Sequence, residues 1–215
     1  MHKLKAKDFG LRCVSSFDVA KPFNYSYIES FVKSVLKEFA GHGIGPNNFS
    51  RAPGDGLFGY VISFSLFNGN ATFALNRDGL ISNLSNGQTP EDANLISNLL
   101  RKALTCLPGQ EQLTHTITCF CHGEFVNGGS VESVFRDLVN LDSSLKPISL
   151  AFWNDAPPAE RVRMDIAPSE FRENRLFVGW QVTTRDILSE QFWSSLPPRL
   201  EGVAKSIGIE FETIK

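Results

Sequence analysis

Residues 57–84 read LFGYVISFSLFNGNATFALNRDGLISNL, and this stretch decides the fold. From Phe58 to Leu66, large apolar residues alternate with Gly, Val and Ser, which is the period of a strand with one apolar face. Asn68-Gly69 predicts a type I′ hairpin, because both residues accept positive φ angles. Arg77-Asp78-Gly79 predicts a second turn, so the stretch predicts a three-stranded antiparallel meander. The other side of this meander is mostly Gly, Ser and Ala, which is typical of a scaffold.

The rest of the chain predicts further strands and four helices. Outside the meander, alternation predicts strands at 3–17, 113–125, 148–153, 161–166, 176–183 and 209–214. Apolar spacings of three and four predict helices at 28–39, 89–104, 131–139 and 190–207, the last interrupted at Pro197-Pro198.

Capping residues predict where several helices begin and end. Either Asn24 or Ser26 caps the first helix, and Gly41 is expected as its left-handed C-terminal cap. Thr89-Pro90 predicts the start of the second helix, with Pro at the first helical position. Six residues are expected to form the buried stripe of that helix: Leu95, Ile96, Leu99, Leu100, Ala103 and Leu104.

Each half of the chain shows the same order of elements: strand, helix, meander, helix. The first unit covers residues 1–107 and the second residues 108–215, without residue-level similarity between them. An internal duplication therefore rests on element order alone. The junction at 105–112 is short, so we expect one compact α+β globule whose helices pack on one face of an antiparallel sheet. The units form either two sheets or one long sheet joined at its edges.

Composition restricts the function classes. The net charge of −2 and the pI near 6.1 argue against binding dominated by phosphate contacts, so a nucleic-acid partner is not expected. Lys3, Lys5 and Lys7 share a face of the first strand, where lysines typically protect a sheet edge, although a local basic patch is the alternative. No apolar run predicts a membrane span or signal peptide, and four cysteines without a disulfide framework indicate reduced thiols. We therefore expect a cytoplasmic protein.

The segment Cys119-Phe120-Cys121-His122, with His115 nearby, is the strongest candidate for metal or thiol chemistry. Residues two apart share a face of a strand, so His115, Cys119 and Cys121 should point one way and His122 the other. No second ligand pair at a zinc-site spacing accompanies them, and buried cysteine commonly packs as a small apolar residue. We predict no metal site here, and nothing in the sequence pairs a cysteine with a histidine for catalysis.

Other catalytic or cofactor motifs are not predicted. Gly41–Pro46 is rich in glycine but follows a helix, whereas a phosphate-binding loop follows a strand and precedes a helix. We therefore predict neither a cofactor nor a catalytic residue.

The second half, from Ile148 to Thr183, carries the residues best suited to recognition. Arginines alternate there with apolar residues and acids, so Arg161, Arg163 and Asp165 should share a half-exposed strand face. An exposed Trp beside such arginines is typical of an interface. The candidate binding residues are Trp153, Arg161, Arg163, Arg172, Arg175 and Trp180.

Three functions are compatible with these patterns. The first is a non-catalytic protein-binding inhibitor or adaptor, for example of the immunity type, that uses the sheet surface of the second half. The alternative is a small-molecule-binding protein or enzyme with a Phe-rich apolar pocket between sheet and helices. The third, nucleic-acid binding by phenylalanines on an exposed sheet face, is disfavoured by the charge.

Overall fold

The computed structural model describes residues 1–19, 23–53, 60–87, 90–108, 113–139, 148–156, 161–171 and 173–212, with backbone alone at 90, 91 and 93. Its strands are β1 (His2–Phe17), β2 (Phe49–Pro53), β3 (Tyr60–Leu66), β4 (Ala71–Asn76), β5 (Gly79–Gly87), β6 (Leu113–Phe125), β7 (Leu150–Trp153), β8 (Val162–Pro168), β9 (Arg175–Thr184) and β10 (Ile209–Phe211). Its α-helices are α1 (Tyr25–Glu38), α2 (Pro90–Thr105), α3 (Val131–Leu138) and α4 (Glu190–Ser206).

All ten strands belong to one sheet. Its order is β2-β3-β4-β5-β1-β6-β9-β8-β7, and β10 pairs in parallel with the start of β1. The other neighbours are antiparallel, and the long strands β1 and β6 join the two halves of the chain at the centre. Of the two predicted arrangements, the single long sheet is the one observed. Each half places its meander outside its long first strand, but a duplication stays a prediction.

The four helices pack on one face of this sheet, as predicted. Phe31 and Val35 of α1, Leu100 of α2, Phe135 of α3 and Phe192 of α4 join the buried strand residues in one hydrophobic core. We call this side of the sheet the covered face. The opposite side, which none of the four helices contacts, is the open face.

The meander is confirmed as β3, β4 and β5, with Ile62, Phe64 and Leu66 buried on the covered face. The predicted type I′ turn is wrong. Leu66 pairs with Ala71, so the loop has four residues, and Phe67, Asn68 and Gly69 take φ angles of 51°, 55° and 92°. The Asn68-Gly69 signal for positive φ was correct, but the left-handed stretch includes the preceding phenylalanine.

Two features of the helices differ from the prediction. Asn24 caps α1 by accepting from the Tyr27 amide, but the left-handed glycine that follows is Gly43, after a short 3₁₀ turn, instead of Gly41. The helix α4 continues through Pro197 and Pro198 without an interruption. The predicted cap Thr89 lies outside the described residues.

One prediction of burial is wrong. Leu95 is 40% exposed, because α2 turns only the other members of the predicted stripe toward the core. The first strand is central, since β1 lies between β5 and β6 for most of its length. Lys3 pairs with β10, but residues 5–8 have no strand neighbour on the edge away from β6 within the described sheet, so Lys5 and Lys7 lie at a short unpaired edge. Edge protection by these two lysines stays a prediction.

Candidate functional site

The register of the sheet aligns a row of side chains across the open face. Antiparallel pairing places residues of neighbouring strands directly opposite each other, and each row alternates with a row on the covered face. One row on the open face begins at Trp153 on the edge strand β7 and crosses the sheet to β3. It runs through Arg163, Gln181, Thr118, Arg12, Asn83, Thr72 and Ser65. Its first five residues span β7 to β1, about 19 Å at ordinary strand spacing.

Trp153 and Arg163 form the outer part of this row. The Arg163 guanidinium lies 5.7 Å from the centroid of the Trp153 ring, within the range of a cation–π contact. Arg163 Nε and Nη2 both donate to Asp165 Oδ1, at 3.0 and 2.8 Å. The acid therefore fixes the guanidinium beside the indole, which remains 59% exposed.

A second cluster on the open face is aromatic. The ring of Phe171 meets His122 edge-on at 5.9 Å, and His122 meets Phe177 at 5.6 Å. Phe177 in turn stacks on Phe120, with ring centroids 6.2 Å apart. Phe171 is 78% exposed at the outer end of this chain of rings. The sheet therefore presents a second large apolar side chain to solvent.

Arg161 and Arg175 complete the described arginines of the predicted site. Arg161 is exposed immediately before β8. Arg175 forms ion pairs with Asp8 and Glu124, at 3.2 and 3.7 Å, so its charge is already compensated. Arg172 lies outside the described residues.

Trp180 lies on the covered face. It pairs with Cys119 on β6 and is only 7% exposed, in the core with Val178 and Val182. It is therefore not accessible on the open face, and the structure separates it from Trp153 and Arg163. The alternation of Leu176, Val178, Trp180 and Val182 is the sequence signal that could have placed it in the core.

A β-bulge in β1 adds basic residues to the open face. Lys7 pairs with His122 and Gly10 with Phe120, so two residues, Asp8 and Phe9, oppose a single residue of β6. The extra residue changes the parity of the strand. Lys3, Lys5 and Lys7 before the bulge thus lie on the same face as Arg12 after it. No ion pair of Lys5, Lys7 or Arg12 occurs within the described part of the chain.

The first-half part of the open face is different in character. Side chains there are small and mostly polar or aliphatic: Ser50, Val61, Ser63, Ser65, Thr72, Ala74, Asn76, Ile81 and Asn83. A scaffold role for the first meander stays a prediction. Large aromatic and charged side chains of the described open face are concentrated on the neighbouring strands β1, β6, β9, β8 and β7. We call this part of the sheet the open face from β1 to β7.

Cys13, Cys121 and His115 are buried on the covered face, where Cys119 is half-buried. Cys106 is buried just after α2. His115 Nδ1 and Ser15 Oγ are 2.8 Å apart, and Ser15 Oγ lies 3.4 Å from Cys13 Sγ. Burial lowers the pKa of His115 to about 4 and raises that of the Cys121 thiol to about 12, so both groups are neutral near pH 7. As predicted, His122 faces the other way. The described residues contain no cluster of three metal-ligating side chains.

A cavity of about 450 Å³ lies between the covered face and the helices α2 and α4. Its floor includes Ala6 and Phe9 of β1 and Cys119 of β6, and Leu196 and Leu200 of α4 form one wall. Trp180 also lines it. The cavity is therefore on the opposite side of the sheet from the Trp153–Arg163 pair.

Sequence reasoning missed part of the open face. Phe120, His122, Phe171 and Phe177 were not among the predicted site residues. Alternation in β6 and β9 could have placed two of them on the open face. Phe120 and Phe177 are out of phase with the apolar core residues of their strands, so their side chains point to the opposite face. The position of Phe171 beside His122 depends on pairing between distant strands, which local sequence does not specify.

Comparison with protein-family models and with curated proteins found no match. Among the described residues, every helix is too short or too polar to cross a membrane.

Proposed function

We propose that this chain is a non-catalytic intracellular protein that binds a partner protein, as an inhibitor or adaptor of the immunity type, through the open face from β1 to β7. The observation that carries the proposal is the Trp153 indole, which is 59% exposed while Arg163 and Asp165 hold its neighbourhood in place. Trp and Arg are the residue types most enriched among energetically dominant interface positions.

The fixed side-chain conformations of Arg163 and Phe171 favour tight binding. A long arginine side chain loses conformational entropy when a partner immobilises it. Arg163 is already held by two hydrogen bonds to Asp165, so part of this loss occurs on folding. The second exposed aromatic residue, Phe171, is likewise packed against His122. The surface is thus pre-organised to receive apolar side chains.

The charges indicate the chemistry of the partner. Lys5, Lys7 and Arg12 line the inner side of the surface, although the whole chain has a net charge of −2. An acidic protein segment with an exposed apolar side chain matches this arrangement. Its carboxylates would meet the bases of β1, and its apolar side chain would contact Trp153 or Phe171. The four cysteines are all free thiols, in keeping with an intracellular protein.

Site-specific photocrosslinking in the source cell tests the proposal. A benzophenone amino acid replaces Ala151, exposed on the open face of β7 near Trp153, in one variant, and Thr72, on the first-half part of the open face, in the control. We expect one protein to be crosslinked from position 151 and not from position 72. Equal crosslinking from both positions, or none from position 151, would contradict the proposal.

Nucleic acid is the competing macromolecule for a sheet face that carries phenylalanines and bases. Filter binding of single-stranded RNA at low salt distinguishes a nucleic-acid partner from a protein partner. Retention of RNA that is lost on Phe177→Ala substitution would replace the protein partner in this proposal, and no retention would leave the protein partner standing.

A further inference from the structure

The cavity beneath α2 and α4 results from a notch in the sheet. On the edge of β1 that faces away from β6, pairing with β10 ends at Leu4 and pairing with β5 begins at Phe9. Residues 5–8 therefore have no strand neighbour on that edge within the described sheet, and the β1 bulge lies in the same stretch. Ala6 and Phe9 line the cavity there. The opening at residues 5–8 is therefore a consequence of how β1 pairs with β5 and β10.

The size and lining suit a small molecule. A volume of about 450 Å³ falls within the range of ligand sites in proteins. Phe9, Leu11, Leu196, Leu200 and Phe211 provide much of an apolar lining. An apolar ligand body would be removed from water on entering it.

The two tryptophans that line the cavity differ in their hydrogen bonding. Trp193 Nε1 donates to the carbonyl oxygen of Ile187, at 2.7 Å. Trp180 Nε1 is buried and has no partner within the described part of the chain. A buried N–H group without a hydrogen-bond acceptor destabilises the folded protein. A carbonyl oxygen of a ligand would recover part of this cost.

Trp180 must adjust slightly before it can donate. Its Nε1 is enclosed in the free protein, and the ring of Phe211 packs against the indole with centroids 5.4 Å apart. Phe211 ends the three-residue strand β10, which pairs with β1. Ligand binding at Trp180 Nε1 therefore requires a small shift of one of these rings, which would change the environment of the indole fluorophore.

The charged groups select against anionic ligands. Glu201 and Glu212 are the charged residues of the lining, and both are exposed at its mouth. The Cys119 and Cys121 thiols stay neutral, because burial raises their pKa to about 12. The described residues of the lining include no Lys, Arg or His that could pair with a carboxylate.

We infer that this cavity binds an uncharged aromatic or acyl molecule that carries a carbonyl group, with the carbonyl oxygen accepting a hydrogen bond from Trp180 Nε1. This site lies on the covered face and does not depend on the partner-binding proposal. The two glutamates should weaken the binding of free fatty acids and other carboxylates relative to uncharged ligands.

Prodan, an uncharged naphthalene with a propanoyl ketone, is a suitable fluorescent probe. We expect saturable binding with blue-shifted emission and a change in tryptophan emission. Ala6→Leu fills part of the cavity and should weaken prodan binding about tenfold or more. The matched control is Ala74→Leu on the open face of β4, which should leave the affinity within about twofold. Equal effects of the two substitutions would overturn the site.

Two further comparisons test the ligand class. Trp180→Phe keeps a ring but removes the N–H, so it should weaken prodan about fivefold, in line with one lost hydrogen bond. The same variant should bind 2-(dimethylamino)naphthalene, which lacks the ketone, as well as the original chain does. Methyl decanoate should displace prodan about tenfold better than decanoate does. Equal displacement by the anion, or an equal loss for both naphthalenes, contradicts the inferred chemistry.

Discussion

The guanidinium of Arg163 lies beside the indole of Trp153 on the one face of the sheet that none of the four helices covers, 5.7 Å from the ring centroid. The two residues come from neighbouring strands, β7 and β8, and are directly opposite each other in the register. Asp165, two residues further along β8, completes the arrangement. This geometry combines an exposed aromatic ring with a fixed positive charge, which is the basis of the proposed interaction.

Arg163→Ala should weaken partner binding but change the stability of the fold only slightly. The ion pair with Asp165 is substantially exposed, with side chains 40% and 35% accessible, so its loss should change the free energy of unfolding by less than about 1 kcal/mol. Partner affinity should fall by about 2 kcal/mol or more, roughly 30-fold. Urea denaturation and calorimetric titration measure the two quantities. A loss of stability as large as the loss of affinity would show that Arg163 acts on the fold.

Removing the bases of β1 should slow association. In a variant with Lys5→Gln, Lys7→Gln and Arg12→Gln, the association rate for an acidic partner should decrease roughly tenfold at low salt, because exposed charges steer encounter. The difference from the original chain should disappear in high salt, where such charges are screened. The substitutions Lys33→Gln and Lys37→Gln on α1, away from the open face, provide the control. Stopped-flow fluorescence gives the rates.

His115 should make stability depend on pH. Its pKa in the folded protein is lowered by burial from 6.5 to about 4, so the unfolded chain takes up this proton first as the pH falls. The free energy of unfolding should therefore decrease between about pH 6.5 and pH 4, by about 3 kcal/mol from this residue. His115→Gln should flatten the dependence of the unfolding free energy on pH in that window. An identical slope for this variant and the original chain would refute the assignment.

Gly79 should not tolerate a side chain. Its φ is +153°, and a Cβ atom would collide with the backbone carbonyl oxygen of Ser15 on the paired strand β1. Gly79→Ala should therefore lower the free energy of unfolding by about 2 kcal/mol or more. Gly41→Ala is the control, because a Cβ atom there meets nothing within 4 Å, and it should be neutral or slightly stabilising. Equal effects in urea denaturation would count against the tight β1–β5 approach.

Local patterns in the sequence predict most of the elements. Alternation in residues 60–66 and 113–125, together with the cap Asn24, depends on interactions within a few residues of each other. Such interactions are visible in a single stretch of sequence. The assignment of Arg163 and Asp165 to one face of their strand is confirmed for the same reason.

Long-range pairing explains the features that could not be predicted. The strand β1 is central because β5 and β6, about 70 and 100 residues away, pair with its two edges, and no local signal specifies those partners. The bulge at Asp8 reverses the parity of β1, so simple alternation cannot assign both Lys5 and Arg12 to one face. By contrast, the separation of Trp180 from Trp153 was predictable, because Trp180 alternates in phase with the core residues Val178 and Val182.

Binding of the partner by the open face from β1 to β7 predicts that loss of the Trp153 side chain weakens the complex. Once a crosslinked partner is purified, the most direct measurement is its dissociation constant, determined by calorimetry, for the original chain, Trp153→Ala and Thr72→Ala. We expect Trp153→Ala to raise the dissociation constant about 30-fold or more and Thr72→Ala to change it less than about threefold. An unchanged dissociation constant for Trp153→Ala, with the variant folded, would contradict the claim.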